Sequence, residues 1–339
     1  MSGIPVFLAS DDNYAPFVAT TMASICANTK SFIEFYILED RITDKNKRKI
    51  KKTAGFFKNF SVEFISVNTE LYFRKLKVKY TPHISMATYS RLLIPEVKPG
   101  IQKAIYTDID VAFTADISEL YQTQLKGYYL AAVTSYNLHA IEHYQKATAR
   151  LELKNFDSIF NAGLLIIDCD KWRNLKISEQ LVELAEKLES EGRLQFNDQD
   201  TLNKFFDGDY LPLDKTWNVM HKLLETNFSE TEIKSILSNH KMAHYTGPDM
   251  FKPWNNKNLK GAEHFWKYVP YTAFSKDIEK INFYFNNPGM VKHYRRKYLN
   301  MLIKLLVSKK KYRKLKKNPA LFFGDSKNNF IKFLGRLYL

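Results

Sequence analysis

Short apolar runs bounded by turn residues alternate with stretches of helical period through most of the chain. Residues 4–10 (IPVFLAS) are continuously apolar, the pattern of a strand buried on both faces. Pro16 follows, and residues 17–29 combine helical spacing with small side chains suited to packing on a sheet. Residues 34–38 predict a second strand, 44–52 a polar helix and 61–67 a third strand. Residues 86–93 predict a helix halted before Pro95, while 103–107, 129–133 and 162–167 predict further strands. Residues 177–190 predict an amphipathic helix with Glu179, Glu183 and Glu186 outward. This order predicts an α/β fold with a mostly parallel central sheet. Such folds bind ligands beyond the carboxyl ends of their strands, so polar residues directly after strands are the places to search for chemistry. There is no internal repeat, no GxGxxG and no phosphate-loop lysine motif, which removes support for dinucleotide and P-loop readings.

Composition narrows the class. A chain of 339 residues, 45% hydrophobic and 26% charged, can bury a large core without disulfide support and reads as globular, with room for one large or two ordinary domains. No uncharged apolar run approaches the roughly 18 residues of a membrane-crossing helix. The opening MSGIPVFLASDDNY lacks a basic stretch and meets two aspartates early, so no secretory leader is expected. Cys26 and Cys169 are too few for a disulfide framework or a cysteine zinc site and are expected as buried apolar residues in a reducing compartment.

The net charge of +15 has one source. Residues 291–339 carry fifteen Lys and Arg against one acid, Asp325, leaving 36 basic and 35 acidic residues for the first 290 positions. The same stretch is apolar, with Leu302, Leu305 and Leu306 on one helical face and lysines at its margins. We expect a body over residues 1–270 and a helical, basic and aromatic tail over 271–339 that lies on an anionic membrane surface. A nucleic-acid arm fits the charge but not the aliphatic content, and a helix packed on its own domain is the bland alternative.

Four polar clusters stand at strand ends. Ala9, Ser10, Asp11, Asp12, Asn13 and Tyr14 follow the first strand, where they could cap the next helix or form a base and ribose pocket in which Tyr14 stacks. Tyr106-Thr107-Asp108-Ile109-Asp110 places two carboxylates on one side of an extended chain with Ile109 toward the core. Carboxylates that close repel unless a cation sits between them, which makes a divalent metal site the natural hypothesis. Asn161-Ala162-Gly163 opens an apolar strand, and Asn197-Asp198-Gln199-Asp200 follows further on, either as helix caps or as an amide and carboxylate set for a polyol such as a hexose. His244-Tyr245-Thr246-Gly247 and Lys252-Pro253-Trp254 supply an imidazole, a glycine permitting close approach and a cation, as a diphosphate loop would need. A nitrogen ligand beside two carboxylates favours Mn²⁺ over Mg²⁺.

In register, the segments ASDDNY, HISMATYSRL, YTDIDV, NAGLLIID, NDQDTLN and HYTG…KPW resemble the family 8 retaining glycosyltransferases, above all bacterial lipopolysaccharide and lipooligosaccharide galactosyl- and glucosyltransferases. The resemblance spans residues 4–254, and the basic aromatic tail is similar in kind. It implies a GT-A type nucleotide-sugar-binding fold in the body, and transfer of galactose or glucose from a UDP-sugar to a saccharide or glycolipid hydroxyl. It assigns Asp108, Asp110 and His244 to Mn²⁺, with Mg²⁺ as a possible substitute. Ala9, Asp11, Asn13 and Tyr14 would hold the uridine, with Asp108, Ile109, Gly247 and Lys252 completing the nucleotide set. Arg91, Asp108, Asn161, Ala162, Asp198 and Gln199 would surround the donor sugar, with His83 on the acceptor side. Front-face attack with Gln199 at the reacting centre is expected, Asp198 being the fallback nucleophile. The implied location is the inner face of the cytoplasmic membrane, held peripherally by the tail. Two departures from the family stand out: Ser135 replaces an acid after the strand ending near Val133, and the His244-to-Lys252 loop is about two residues longer. An inactive UDP-sugar-binding protein is the alternative, and a nucleic-acid-binding protein a weaker one.

Overall fold

The computed structural model describes residues 3–67, 86–135, 142–154, 156–221, 229–247 and 251–280. These lie within the unit Met1–Ile281. His83, Pro248 to Met250 of the long loop, and the tail from residue 281 onward lie outside the described residues, whereas residues 271–280 belong to the first unit, with Phe274 and Ile278 in its core.

The apolar run that opens the chain becomes β1 (Ile4–Asp11), near the middle of a seven-stranded sheet. β2 (Ile33–Asp40) and β3 (Phe60–Ser66) extend it on one side. On the other lie β4 (Lys103–Thr107), β7 (Phe160–Asp168), β6 (Leu130–Thr134) and the two-residue β8 (Leu211–Pro212). β1 pairs parallel with β2 and β4, β2 with β3, and β6 with β8. β7 runs antiparallel to both of its neighbours, within a sheet that is mostly parallel.

Successive β1 side chains face opposite cores, as strand geometry requires. Val6 and Leu8 pack with α1 (Ala15–Asn28), and Phe7 packs with Tyr89, Leu165 and Trp172. Eleven of the fourteen α1 residues are buried, so this helix has almost no polar face. Its hydroxyls are used instead as anchors. Thr21 Oγ1 donates to the carbonyls of Ile109 (3.0 Å) and Val111 (3.2 Å), and Ser24 Oγ accepts from Phe113 N at 3.0 Å. These bonds fix β5 (Val111–Phe113), which forms a small second sheet with β10 (Met242–His244) and β9 (Val219–Met220).

Two local expectations change. Residues 86–93 are helical as expected, wound as a 3₁₀ helix with Arg91 Nε donating back to the Thr88 carbonyl at 3.1 Å, but the chain does not stop before Pro95, which sits in the first turn of the short helix Ile94–Val97. Asp108 to Asp110 occupy a bend between β4 and β5 rather than a continuous strand, because the chain there leaves one sheet for the other.

Candidate active site

The bend at residues 108–110 brings two carboxylates to the end of β10. Asp108 N donates to the Gly163 carbonyl (2.9 Å), continuing the β4–β7 ladder by one step, and Tyr245 N donates to the Asp110 carbonyl (2.9 Å). His244 Nε2 then lies 3.3 Å from Asp110 Oδ1 and 3.6 Å from Asp108 Oδ2. Ligand atoms of these three residues lie within 4.8 Å of one another, the one such group of three found among the described residues. With ligand bonds of about 2.1 Å, neighbouring positions of an octahedral shell lie about 3.0 Å apart. The observed separations therefore fit one face of a divalent cation with small adjustment. Gly163 makes this approach possible: a Cβ there would stand 2.3 Å from His244 Cε1 and 2.8 Å from Asp108 Oδ2.

Two cations already balance the carboxylates. Lys252 Nζ donates to Asp110 Oδ2 and, at 2.8 Å, to the Tyr245 carbonyl. Burial alone would raise the Asp110 pKa, but the Lys252 charge, His244 and hydrogen bonds from both hold it well below the usual carboxylate range. Arg91, 6% exposed, stacks on Tyr106 with its guanidinium carbon 4.3 Å from the ring centroid. Its Nη2 lies 3.0 Å from Asp108 Oδ1, which also accepts from Tyr106 Oη at 2.9 Å, and its Nη1 donates to the Ala162 carbonyl at 2.7 Å.

The sequence cluster at 197–200 separates into an acid that closes a turn and an acid paired with Arg91. α3 (Asn197–Phe206) follows α2 (Ile177–Ser190) and is pinned to β7 by Asn203, which bonds both backbone groups of Phe160. Asp200 Oδ2 accepts from the backbone of Gln195 and Phe196 and from Arg150, so it closes the turn before the helix. Asp198 points to Arg91 instead, Nε to Oδ2 being 2.9 Å. The Nε hydrogen is committed to Thr88, so Asp198 Oδ2 is buried beside positive charge yet accepts no hydrogen bond among the described residues. Burial raises the Asp198 pKa to about 7 against the opposing pull of Arg91, with Asp108 and Asp200 adding to the rise. Gln199 Oε1 accepts from Asn161 Nδ2 (3.0 Å) and Ala162 N (3.2 Å).

The first and fourth clusters meet through aromatic packing. Trp254 stacks on Phe17 at 3.6 Å and meets Tyr14 edge-on at 6.4 Å, which anchors the segment carrying Lys252 to the start of α1. Asp11 Oδ1 accepts from Asn13 N and Tyr14 N and closes its own turn, whereas Asp12 Oδ1 accepts from Thr43 and Asn46 and ties that turn to the start of the helix Asp44–Lys51. Asp11 Oδ2 takes no part in that turn. Ala9 is partly buried at the end of β1 and packs with the second core. Ile109 packs on the first core, as expected, and Gly247 has φ +98°, a bend that favours glycine. Ser135, after β6, is buried, and its Oγ has no hydrogen-bond partner among the described residues.

Tyr106 and Asn218 were not singled out as site residues in the sequence. Tyr106 precedes Asp108 by two residues and could have been read as its neighbour on the same strand face. Asn218, fully buried, bridges His244 Nδ1 (2.8 Å) and Asn161 Oδ1 (2.9 Å), and no spacing in the chain signals it.

The profile of the glycosyl transferase family 8 matches residues 5–258. A putative glycosyltransferase of Haemophilus influenzae is 31% identical over 74% of this chain and 73% of its own length. The lipopolysaccharide 1,2-glucosyltransferase of Escherichia coli is 27% identical over 76% and 74%. Among solved structures, the galactosyltransferase LgtC, in complex with donor and acceptor sugar analogs, is 27% identical with a TM-score of 0.65, covering 78% of this chain and 94% of its own.

Proposed function

The chain belongs to glycosyl transferase family 8 and has the GT-A type fold, and from that premise we propose that it transfers galactose or glucose from a UDP-sugar to a saccharide hydroxyl with retention of anomeric configuration. The family implies a nucleotide-sugar donor and a saccharide acceptor. The carrying observation is the convergence of Asp108, Asp110 and His244 beside the Arg91–Asp198–Gln199 set at one end of the sheet. A divalent cation held by the three ligands would offset the charge that develops on the diphosphate as the glycosidic C–O bond breaks. The imidazole favours Mn²⁺, with Mg²⁺ as a substitute.

The remaining work falls to the chain's own residues. Asp198 Oδ2, buried and ion-paired with Arg91 but accepting no hydrogen bond among the described residues, is an acceptor that a sugar hydroxyl would satisfy. Arg91 keeps Asp108 and Asp198 apart in charge and in position. Gln199 is an amide and a poor nucleophile, which favours front-face attack in which the departing phosphate oxygen takes the acceptor's proton, with Asp198 the fallback for double displacement. Because Gln199 Oε1 already holds two N–H groups, its use at an oxocarbenium-like centre requires that contact to loosen as the donor enters. Ala9, Asp11, Asn13 and Tyr14 hold the uridine in this reading, with Ile109, Gly247 and Lys252 along the diphosphate. His83 serves the acceptor side.

The acceptor we propose is lipopolysaccharide or another cell-surface glycan. Residues 1–270 would form the catalytic domain. The tail from 271 would hold the enzyme on the anionic inner face of the cytoplasmic membrane, where each Lys or Arg near the surface is worth about 1 kcal/mol. The test is incubation of the full chain with UDP-galactose or UDP-glucose, Mn²⁺ and a lipooligosaccharide acceptor, with the new linkage read by NMR. An α-linked product from one α-configured donor supports the reading. A β-linked product refutes retention, and UDP binding with neither transfer nor hydrolysis indicates an inactive binding protein.

A further inference from the structure

Behind the cation site runs a chain of side-chain amides whose polarity is set by two backbone N–H groups. Gly163 N donates to Asn161 at 3.0 Å, so the atom it meets is Oδ1. Ala162 N donates to Gln199 at 3.2 Å, so that atom is Oε1, and Asn161 Nδ2 donates to the same oxygen at 3.0 Å. Since Asn161 Oδ1 is an acceptor, the Asn218 atom 2.9 Å from it is Nδ2. Asn218 Oδ1 is then the atom 2.8 Å from His244 Nδ1, and that ring nitrogen carries a hydrogen. The other ring nitrogen, Nε2, is the one that faces Asp110 Oδ1 and Asp108 Oδ2.

From this we infer that Asn218 is a positioning residue: it fixes His244 with Nδ1 protonated and Nε2 turned to the cation, and ties that ligand through Asn161 to Gln199. The inference rests on the cation-site reading above. Metal-bound histidines characteristically donate their second N–H to an outer partner that sets tautomer and ring orientation. Here the partner is a neutral amide rather than a carboxylate, and its free N–H group is what continues the link to the sugar-facing residues. Local structure holds Asn218 in place. Asp214 caps the short turn Lys215–Asn218 through Thr216 N (2.9 Å), Lys241 N donates to the Thr216 carbonyl (2.8 Å), and β9 runs parallel to β10 with Met220 opposite His244.

The test compares full-length parent, N218L and N218D by Mn²⁺ titration followed by electron paramagnetic resonance. Leucine matches the shape but can accept nothing from Nδ1–H, so affinity should fall about 10- to 100-fold. Aspartate still accepts that hydrogen and should keep affinity near the parent's, while its loss of the bond to Asn161 weakens UDP-sugar binding. Parental affinity in N218L, or N218D falling as far as N218L, overturns the inference. A second measurement needs no Asn218 variant: ring ¹⁵N spectra of the metal-free and Zn²⁺-loaded parent, with His244 assigned by its loss in H244Q. A proton retained on Nδ1 and a Zn²⁺-dependent shift at Nε2 support the inference, and Zn²⁺ on Nδ1 overturns it. Absence of Asp110-dependent Mn²⁺ binding in the parent would overturn the cation-site reading and this inference together, whereas parental affinity in N218L overturns the inference alone.

Discussion

Replacing Gly163 by alanine adds one methyl group where His244, Asp108 and Asn161 converge. Gly163 lies within β7 and its φ is not positive, so the demand for glycine is steric rather than conformational. The added carbon would stand 2.3 Å from His244 Cε1, 2.8 Å from Asp108 Oδ2 and 2.9 Å from Asn161 Oδ1, against an ordinary contact of 3.4–4 Å. The shortfall at the imidazole is therefore about 1.1 Å, and the ring is buried and tied to Asn218. Overpacking of this kind costs about 1–3 kcal/mol, and each kcal/mol lowers the melting temperature by roughly 2–4 °C for a domain of this size. Displacing Nε2 by an ångström also removes one ligand from the cation shell, so Mn²⁺ affinity should fall at least about 100-fold, the upper end of what an outer-shell change costs. The assay is thermal unfolding together with Mn²⁺ titration, with Gly100→Ala as control because nothing lies within 4 Å of a Cβ there. G163A with the parent's melting temperature and Mn²⁺ affinity would refute the geometry.

Other perturbations separate the charges. R91A strips the partner from the buried carboxylate of Asp198 and the half-buried one of Asp108 and should destabilise the protein by about 3–5 kcal/mol, chiefly through Asp198, measurable by denaturant unfolding, with R91K recovering only part because it lacks the planar fork. The Asp198 pKa is raised in the folded state to about 7, so the folded protein holds its proton longer and the residue costs stability as pH rises from about 4 to 7. The stability of D198N relative to the parent should accordingly rise across that window and level off above it, and a flat difference would contradict the shift. K252M removes an ammonium that sits on Asp110, so calorimetry should find tighter Mn²⁺ binding to the nucleotide-free protein and weaker UDP binding.

Much of this was legible in the chain because strand and helix periods differ and the central strands are apolar. β1, β4 and the helix over Ile177–Ser190 stand where their patterns place them. The direction of β7 was not legible, since a strand buried on both faces has the same composition whichever way it runs. The second sheet escaped as well: β5, β9 and β10 are two or three residues each, too short to show a period. Asp108, Asp110 and His244 were readable from their chemistry, and the structure brings them together. The division of labour between Asp198 and Asp200 was not, because both sit in the first turn of one helix and their charged partners, Arg91 and Arg150, come from elsewhere in the chain. Asn218 had no local signal because its meaning arises from two neighbours 57 and 26 residues away.

The most direct measurement is UDP release from a panel of UDP-sugars, with and without Mn²⁺, by the full chain and by D110A. Mn²⁺-dependent release from a single UDP-hexose, abolished in D110A, is the predicted result and names the donor. Release that needs no metal, or that D110A carries out at the parental rate, would contradict the account.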